Sequence, residues 1–151
     1  MKGFVMGMDV YGVGNPEAYF RANIWSWRPI HTLIKKFASD LVDDATIEGM
    51  TCNDGHGLYR MEDCITLANR IEHWMEHNTD GLEVEMDDKF ENFIESIISS
   101  VKEQLKDKNE ESSEIDKIQF GRNNNPKCKV EDDHLKEFVD FLRICEGFKV
   151  L

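Results

Sequence analysis

The sequence is short of basic side chains. Eighteen lysines and arginines stand against thirty aspartates and glutamates in 151 residues, a formal net charge of −12. That balance opposes direct nucleic-acid binding, because phosphate contacts need cations. No stretch approaches the ~18 consecutive apolar residues of a membrane-spanning helix. The opening Met1-Lys-Gly-Phe-Val-Met-Gly-Met-Asp9 has one lysine and a short apolar run broken by Gly7, too little for a secretory signal. The expectation is a cytoplasmic chain with no membrane contact. No Cys-x-x-Cys pair is present. Cys52, Cys64, Cys128 and Cys145 read as free thiols of a reducing compartment, with Cys64 and Cys145 on apolar helix faces. A four-thiolate zinc site has no spacing to support it. A P-loop, a dinucleotide fingerprint and a Gly-x-Ser-x-Gly elbow are also missing. No cofactor, metal or catalytic residue is assigned, and the reading leans away from an enzyme.

What remains fits a soluble globular domain, with 40% hydrophobic and 32% charged residues, long enough to bury a core as a single unit over 1–151. Charge is unevenly spread. Residues 1–36 hold five basic side chains (Lys2, Arg21, Arg28, Lys35, Lys36) against Asp9 and Glu17, a net of +3, so the remainder carries −15. An acidic face is usually only a solvated one, but it also attracts basic surfaces.

Aromatics and arginines concentrate in Tyr19-Phe-Arg-Ala-Asn-Ile-Trp-Ser-Trp-Arg28. Phe20, Ile24 and Trp27 fit a helical face, whereas Trp25 and Trp27 fit alternation. Arg21, Asn23, Trp25, Trp27 and Arg28 can form a binding surface, since arginine clamps carboxylates or phosphates and tryptophan anchors interfaces. They can equally be core filling with arginines stacked over it.

Residues 4–13 suit a strand, with a turn at Gly12 to Pro16. Pro29 suits a first helical turn, and Ile30, Leu33, Ile34, Phe37 and Leu41 continue a helix to Asp43-Asp44. A polar connection follows to Gly57. The second helix starts near Met61, its buried face marked by Cys64, Leu67, Ala68, Ile71, Trp74 and Met75. The third spans about Asp87 to Lys108. Residues 109–129 read as a mobile loop with a short strand at 115–120. The fourth helix runs from Asp132 to Cys145 with Gly147 at its C′ position, and Phe148-Lys-Val-Leu151 returns as a strand beside residues 4–10. The expected fold is α+β and mostly helical: four main helices packed with a small sheet from the N- and C-terminal segments.

Two other motifs carry chemistry. Asn53-Asp54-Gly55-His56-Gly57 is first a turn, although Asp54 and His56 can act as base and acid or join Cys52 on a metal. His73-Trp-Met-Glu-His77 matches the inverted zinc motif H-x-x-E-H. Its histidines, however, fall on the wheel with Thr66 and Arg70, away from the apolar stripe, and read as solvent-facing. Glu131-Asp-Asp133 reads as a helix N-terminus.

Met6-Gly-Met-Asp-Val-Tyr-Gly12 with the Tyr19 to Pro29 block, then Asn53-Asp-Gly-His-Gly-Leu58, then Phe138 to Phe148 resemble a family of small uncharacterised bacterial and phage proteins. The likeness covers roughly the first 60 and last 15 residues. In the middle, many relatives carry Cys-x-x-Cys pairs that this chain lacks. The resemblance brings no activity onto residues. It implies a mobile-element accessory protein and links the Trp block to the Asn-Asp-Gly loop as one unit.

Together these features lead to the expectation of a small acidic, non-enzymatic binding protein that engages a basic surface of a host protein. An inhibitor of a nucleic-acid-guided defence system such as CRISPR fits that description. A homodimer is compatible with it, and a purely structural oligomer component is a third reading. The alternative is a pocket for a nucleotide-like or phosphate-bearing ligand, binding or hydrolytic, built from Arg21, Arg28, Asn53, Asp54 and His56.

Overall fold

The computed structural model describes residues 7–51, 55–85, 88–106 and 127–151. Strand β1 (Gly7–Gly12) pairs antiparallel with β2 (Tyr19–Asn23), placing Tyr11 opposite Tyr19 and Asp9 opposite Arg21. On its other side β1 pairs antiparallel with β5 (Phe148–Val150). The sheet order is β2-β1-β5. Alternation sorts the faces: Met8, Val10, Phe20, Ala22, Phe148 and Val150 are buried, while Tyr19, Arg21 and Asn23 face outward.

The aromatic block divides between two periodicities. Tyr19–Asn23 alternates as a strand. Asn23 then caps α1 (Ile24–Ala38), its side chain accepting the Ser26 N–H at 2.8 Å. The helix therefore begins five residues before Pro29, which is its sixth residue and not part of an opening turn. Pro29 has no N–H to give to the carbonyl four residues back. Its ring lies in the buried face with Ile30, Leu33, Ile34 and Ala38.

The connection after α1 is not wholly irregular. Asp43 caps a short helix, α2 (Asp44–Gly49), by accepting the Thr46 N–H at 2.9 Å. Helix α3 (Met61–Glu76) buries Cys64, Leu67, Ala68, Ile71 and Met75, while Trp74 is only partly buried. A second antiparallel sheet, β3 (Leu82–Glu85) with β4 (Lys127–Val130), packs on α1. The end of the expected mobile loop thus falls in β4: alternation buries Cys128 and Val130 and sets Lys129 opposite Glu83. The expected strand at 115–120 and the rest of that loop up to 126 lie outside the described residues. Helix α4 (Asp88–Lys106) follows β3 and buries Ile94 and Ile98.

Helix α5 (Asp132–Ile144) packs against α3 and β2. Phe138 sits at the centre of the core. Its ring centroid lies 5.0 Å from Phe20, 6.1 Å from Trp27, 6.4 Å from Phe141 and 6.3 Å from Phe148. One hydrophobic cluster runs through the terminal sheet, α1, α3, α5 and β4. The architecture is α+β and mostly helical, with the small antiparallel sheet built from N- and C-terminal strands.

Candidate functional site

The expected site residues lie around the β2–α1 junction and the segment after α2. Trp25 and Trp27 are 4% and 3% exposed. The Trp27 indole N–H donates to the Met50 carbonyl at 2.9 Å. Burial of a tryptophan calls for such a partner, and this one ties α1 to the end of α2. Both rings therefore belong to the core and present no face to a ligand in solvent. One turn on, His31 Nε2 lies 2.7 Å from the Ile47 carbonyl. Burial pushes the His31 pKa down, only partly opposed by that carbonyl, so the ring is neutral and donates from Nε2.

The two arginines serve different surroundings. Arg21 is exposed on the outer sheet face, 3.6 Å from Asp9, which also accepts the Tyr19 hydroxyl at 2.5 Å. The Tyr19 pKa is raised, first by that hydrogen bond and then by burial. Tyr11 completes the outer face, its ring 5.0 Å from Tyr19. Arg28 is half-buried on α1, close enough to His31 for its charge to help hold that imidazole neutral.

The Asn-Asp-Gly-His-Gly motif is only partly described: Asn53 and Asp54, with Cys52, lie outside the described residues. The remainder is an edge to the sheet. Gly55 N–H donates to the Val150 carbonyl at 2.7 Å, Val150 N–H to His56 at 2.8 Å, and Phe148 N–H to Leu58 at 2.6 Å. Gly57 is buried so close to Phe148 that a Cβ would meet its carbonyl. This glycine serves backbone approach within the fold. The His56 ring lies over Gly49, where any side chain would strike it. Trp27 and His56 thus reach adjacent residues of one backbone segment, Met50 and Gly49, and α2 joins the Trp block to the loop.

His73 and His77 are exposed and stacked edge to face at 5.5 Å, with His73 3.5 Å from Glu76. Among the described residues, no group of three or more His, Cys, Asp or Glu is arranged to hold a metal, and no helix is long and apolar enough to cross a membrane.

A different feature has the shape of a binding site. A groove of about 370 Å³ opens between the end of α3 and the Asp132 to Asp140 stretch of α5. Met75 and Val139 supply its apolar lining, and Glu72, Glu76, Asp132 and Asp140 its carboxylates. Three of these acids have partners: Lys136, itself in the lining, pairs with Asp132 at 3.0 Å, Arg143 with Glu72 at 3.1 Å, and His73 stands 3.5 Å from Glu76. Sequence reasoning missed the groove, although each helix was visible. The only signal was an acidic flank on both apolar stripes, Glu72 and Glu76 on one and Asp132 and Asp140 on the other. Comparison with protein-family models, curated proteins and solved structures found no match.

Proposed function

We propose that this chain is a non-enzymatic binding protein of a mobile genetic element that docks on a basic surface of a host protein. A component of a nucleic-acid-guided defence system is the kind of host target that fits, because such proteins carry basic surfaces for nucleic acid. The observation that carries the reading is the α3–α5 groove. Carboxylates from both helices stand around an apolar floor of Met75 and Val139, and long basic side chains bury aliphatic stems while presenting a charged head. The charge balance agrees, with −15 outside the first 36 residues. The alternative small-ligand pocket is weakened because the two tryptophans beside its arginines are core residues that offer a ligand no exposed ring. Arg21 and Arg28 also answer to different neighbours.

The test is capture from host lysate at low and high salt, with wild type and with a Glu76→Lys, Asp140→Lys variant. The expected result is a basic protein retained at low salt, released by salt, and at least ~10-fold weaker on the variant. Equal retention by both proteins would remove the groove from the interface. A complex indifferent to salt would remove the electrostatic reading altogether.

A further inference from the structure

Cys64 and Cys145 lie outside the lining of the α3–α5 groove. Both are fully buried free thiols, one in the first turn of α3 and the other capping the C-terminus of α5. The backbone brings them to one place. The Leu58 carbonyl accepts the Phe148 N–H at 2.6 Å and the Cys64 S–H at 3.5 Å, so the Cys64 sulfur lies against the chain leaving Cys145. Gly147 packs on the Tyr59 backbone, closing the same seam. The Cys145 S–H donates to the Leu142 carbonyl at 3.5 Å, and the two thiols act on each other's ionisation as neighbouring groups do.

We infer that Cys64 and Cys145 form an oxidation site, a dithiol that closes to a disulfide stapling the start of α3 to the end of α5. The oxidant is a low-molecular-weight disulfide such as oxidised glutathione. One protein thiolate attacks a sulfur of the small disulfide, forming a mixed disulfide and expelling one small thiolate, which takes up the proton lost by the attacking thiol. The second protein thiol then loses its proton and attacks the mixed disulfide. A protein S–S bond forms and a second small thiol leaves. Two protein S–H groups are oxidised, and one small disulfide is reduced to two thiols.

Burial holds both thiols protonated in the closed seam, and Cys64 is held up further by Cys145, so either sulfur can attack first once the seam opens. Because both sulfurs are buried, reaction passes through local opening of the seam between residues 55–59 and β5. The inference stands independently of the docking surface.

The experiment is incubation of the native 151-residue chain with oxidised glutathione, acid quench, and mass spectrometry of the intact and digested chain. The expected result is a loss of ~2 Da and a linked peptide pair joining Cys64 to Cys145, both absent after reduction. A Cys145→Ser variant, checked for folding by circular dichroism, should lose the mass change. The inference is overturned if the native chain keeps four alkylatable thiols, if the bridge involves Cys52 or Cys128, or if the Cys64–Cys145 bridge forms only in denaturant. Peptide mapping of the wild type decides the matter even if the variant fails to fold.

Discussion

Replacing Trp27 with phenylalanine tests whether the aromatic block is core or surface. The ring is 3% exposed and its N–H meets the Met50 carbonyl at 2.9 Å in buried surroundings. Removing that N–H leaves a buried acceptor unsatisfied, at a cost of about 1–3 kcal/mol. Phenylalanine also lacks two of the indole carbons, worth roughly 1.5 kcal/mol of lost burial at about 0.8 kcal/mol per carbon. The void beside Phe138, whose ring meets Trp27 edge to face, adds to the loss. The expected total is about 3–4 kcal/mol, which for a domain of this size lowers Tm by roughly 10 °C. Urea and thermal unfolding followed by circular dichroism measure it. Tyr19→Phe is the control: that residue is 47% exposed, and its change should stay within about 1 kcal/mol. A Trp27→Phe loss below about 1 kcal/mol would refute the reasoning, because neither a held N–H nor a buried ring is compatible with it.

His31 predicts an acid weakness. Its pKa is lowered in the fold by burial from 6.5, so the unfolded chain binds the proton more readily. Stability is complete above about pH 6.5 and declines as pH falls from there towards the lowered folded value. The urea midpoint of wild type should fall from pH 7.5 to 5 more steeply than that of His31→Gln, and parallel curves would exclude His31 as the source. Gly57→Ala should cost roughly 1–3 kcal/mol through the clash with Phe148, and amide exchange at Phe148 and Val150 should accelerate. Protection unchanged at both amides would show that the 55–58 edge is not held to β5.

Legibility followed sequence distance and pattern length. Helices α3 and α5 carry long stripes, so their limits could be read closely. The terminal sheet was legible because β-branched and aromatic residues stand at both ends of the sequence, and β5 does pair with β1. The block at Tyr19–Arg28 was ambiguous because it contains both periods, a strand to Asn23 and a helix from Ile24. The cap that divides them is Asn23, a residue whose side chain competes for backbone N–H groups. Helix α2 escaped because six residues cannot show a stripe. The β3–β4 pair escaped because two four-residue strands are separated by all of α4. The groove was illegible for a related reason: it depends on how α3 and α5 dock, and neither sequence stretch specifies the other's rotation.

The C-terminus of α5 shows why the N-terminal block and the 55–58 segment act as a frame. A helix end leaves carbonyls that need donors. Here the turn after β1 supplies them: Asn15 Nδ2 donates to Ile144 at 2.9 Å, and the N–H groups of Asn15, Gly14 and Val13 donate to Cys145, Glu146 and Gly147 at 3.1, 3.0 and 2.8 Å. The chain accommodates this with two successive left-handed residues, Glu146 at φ 54° and Gly147 at φ 94°. Glu146 therefore occupies the position expected of Gly147, and the strain of a non-glycine residue there is offset by bonds on both sides. Leu58 and His56 then take the N–H groups of Phe148 and Val150. With α5 fixed at this end by backbone bonds and the Asn15 side chain, its exposed acids are not needed to hold it. Asp140 and the neighbouring α3 acid Glu76 can be reversed in charge without disturbing those bonds, which is why a binding defect in that double variant would report on the surface and not on the fold.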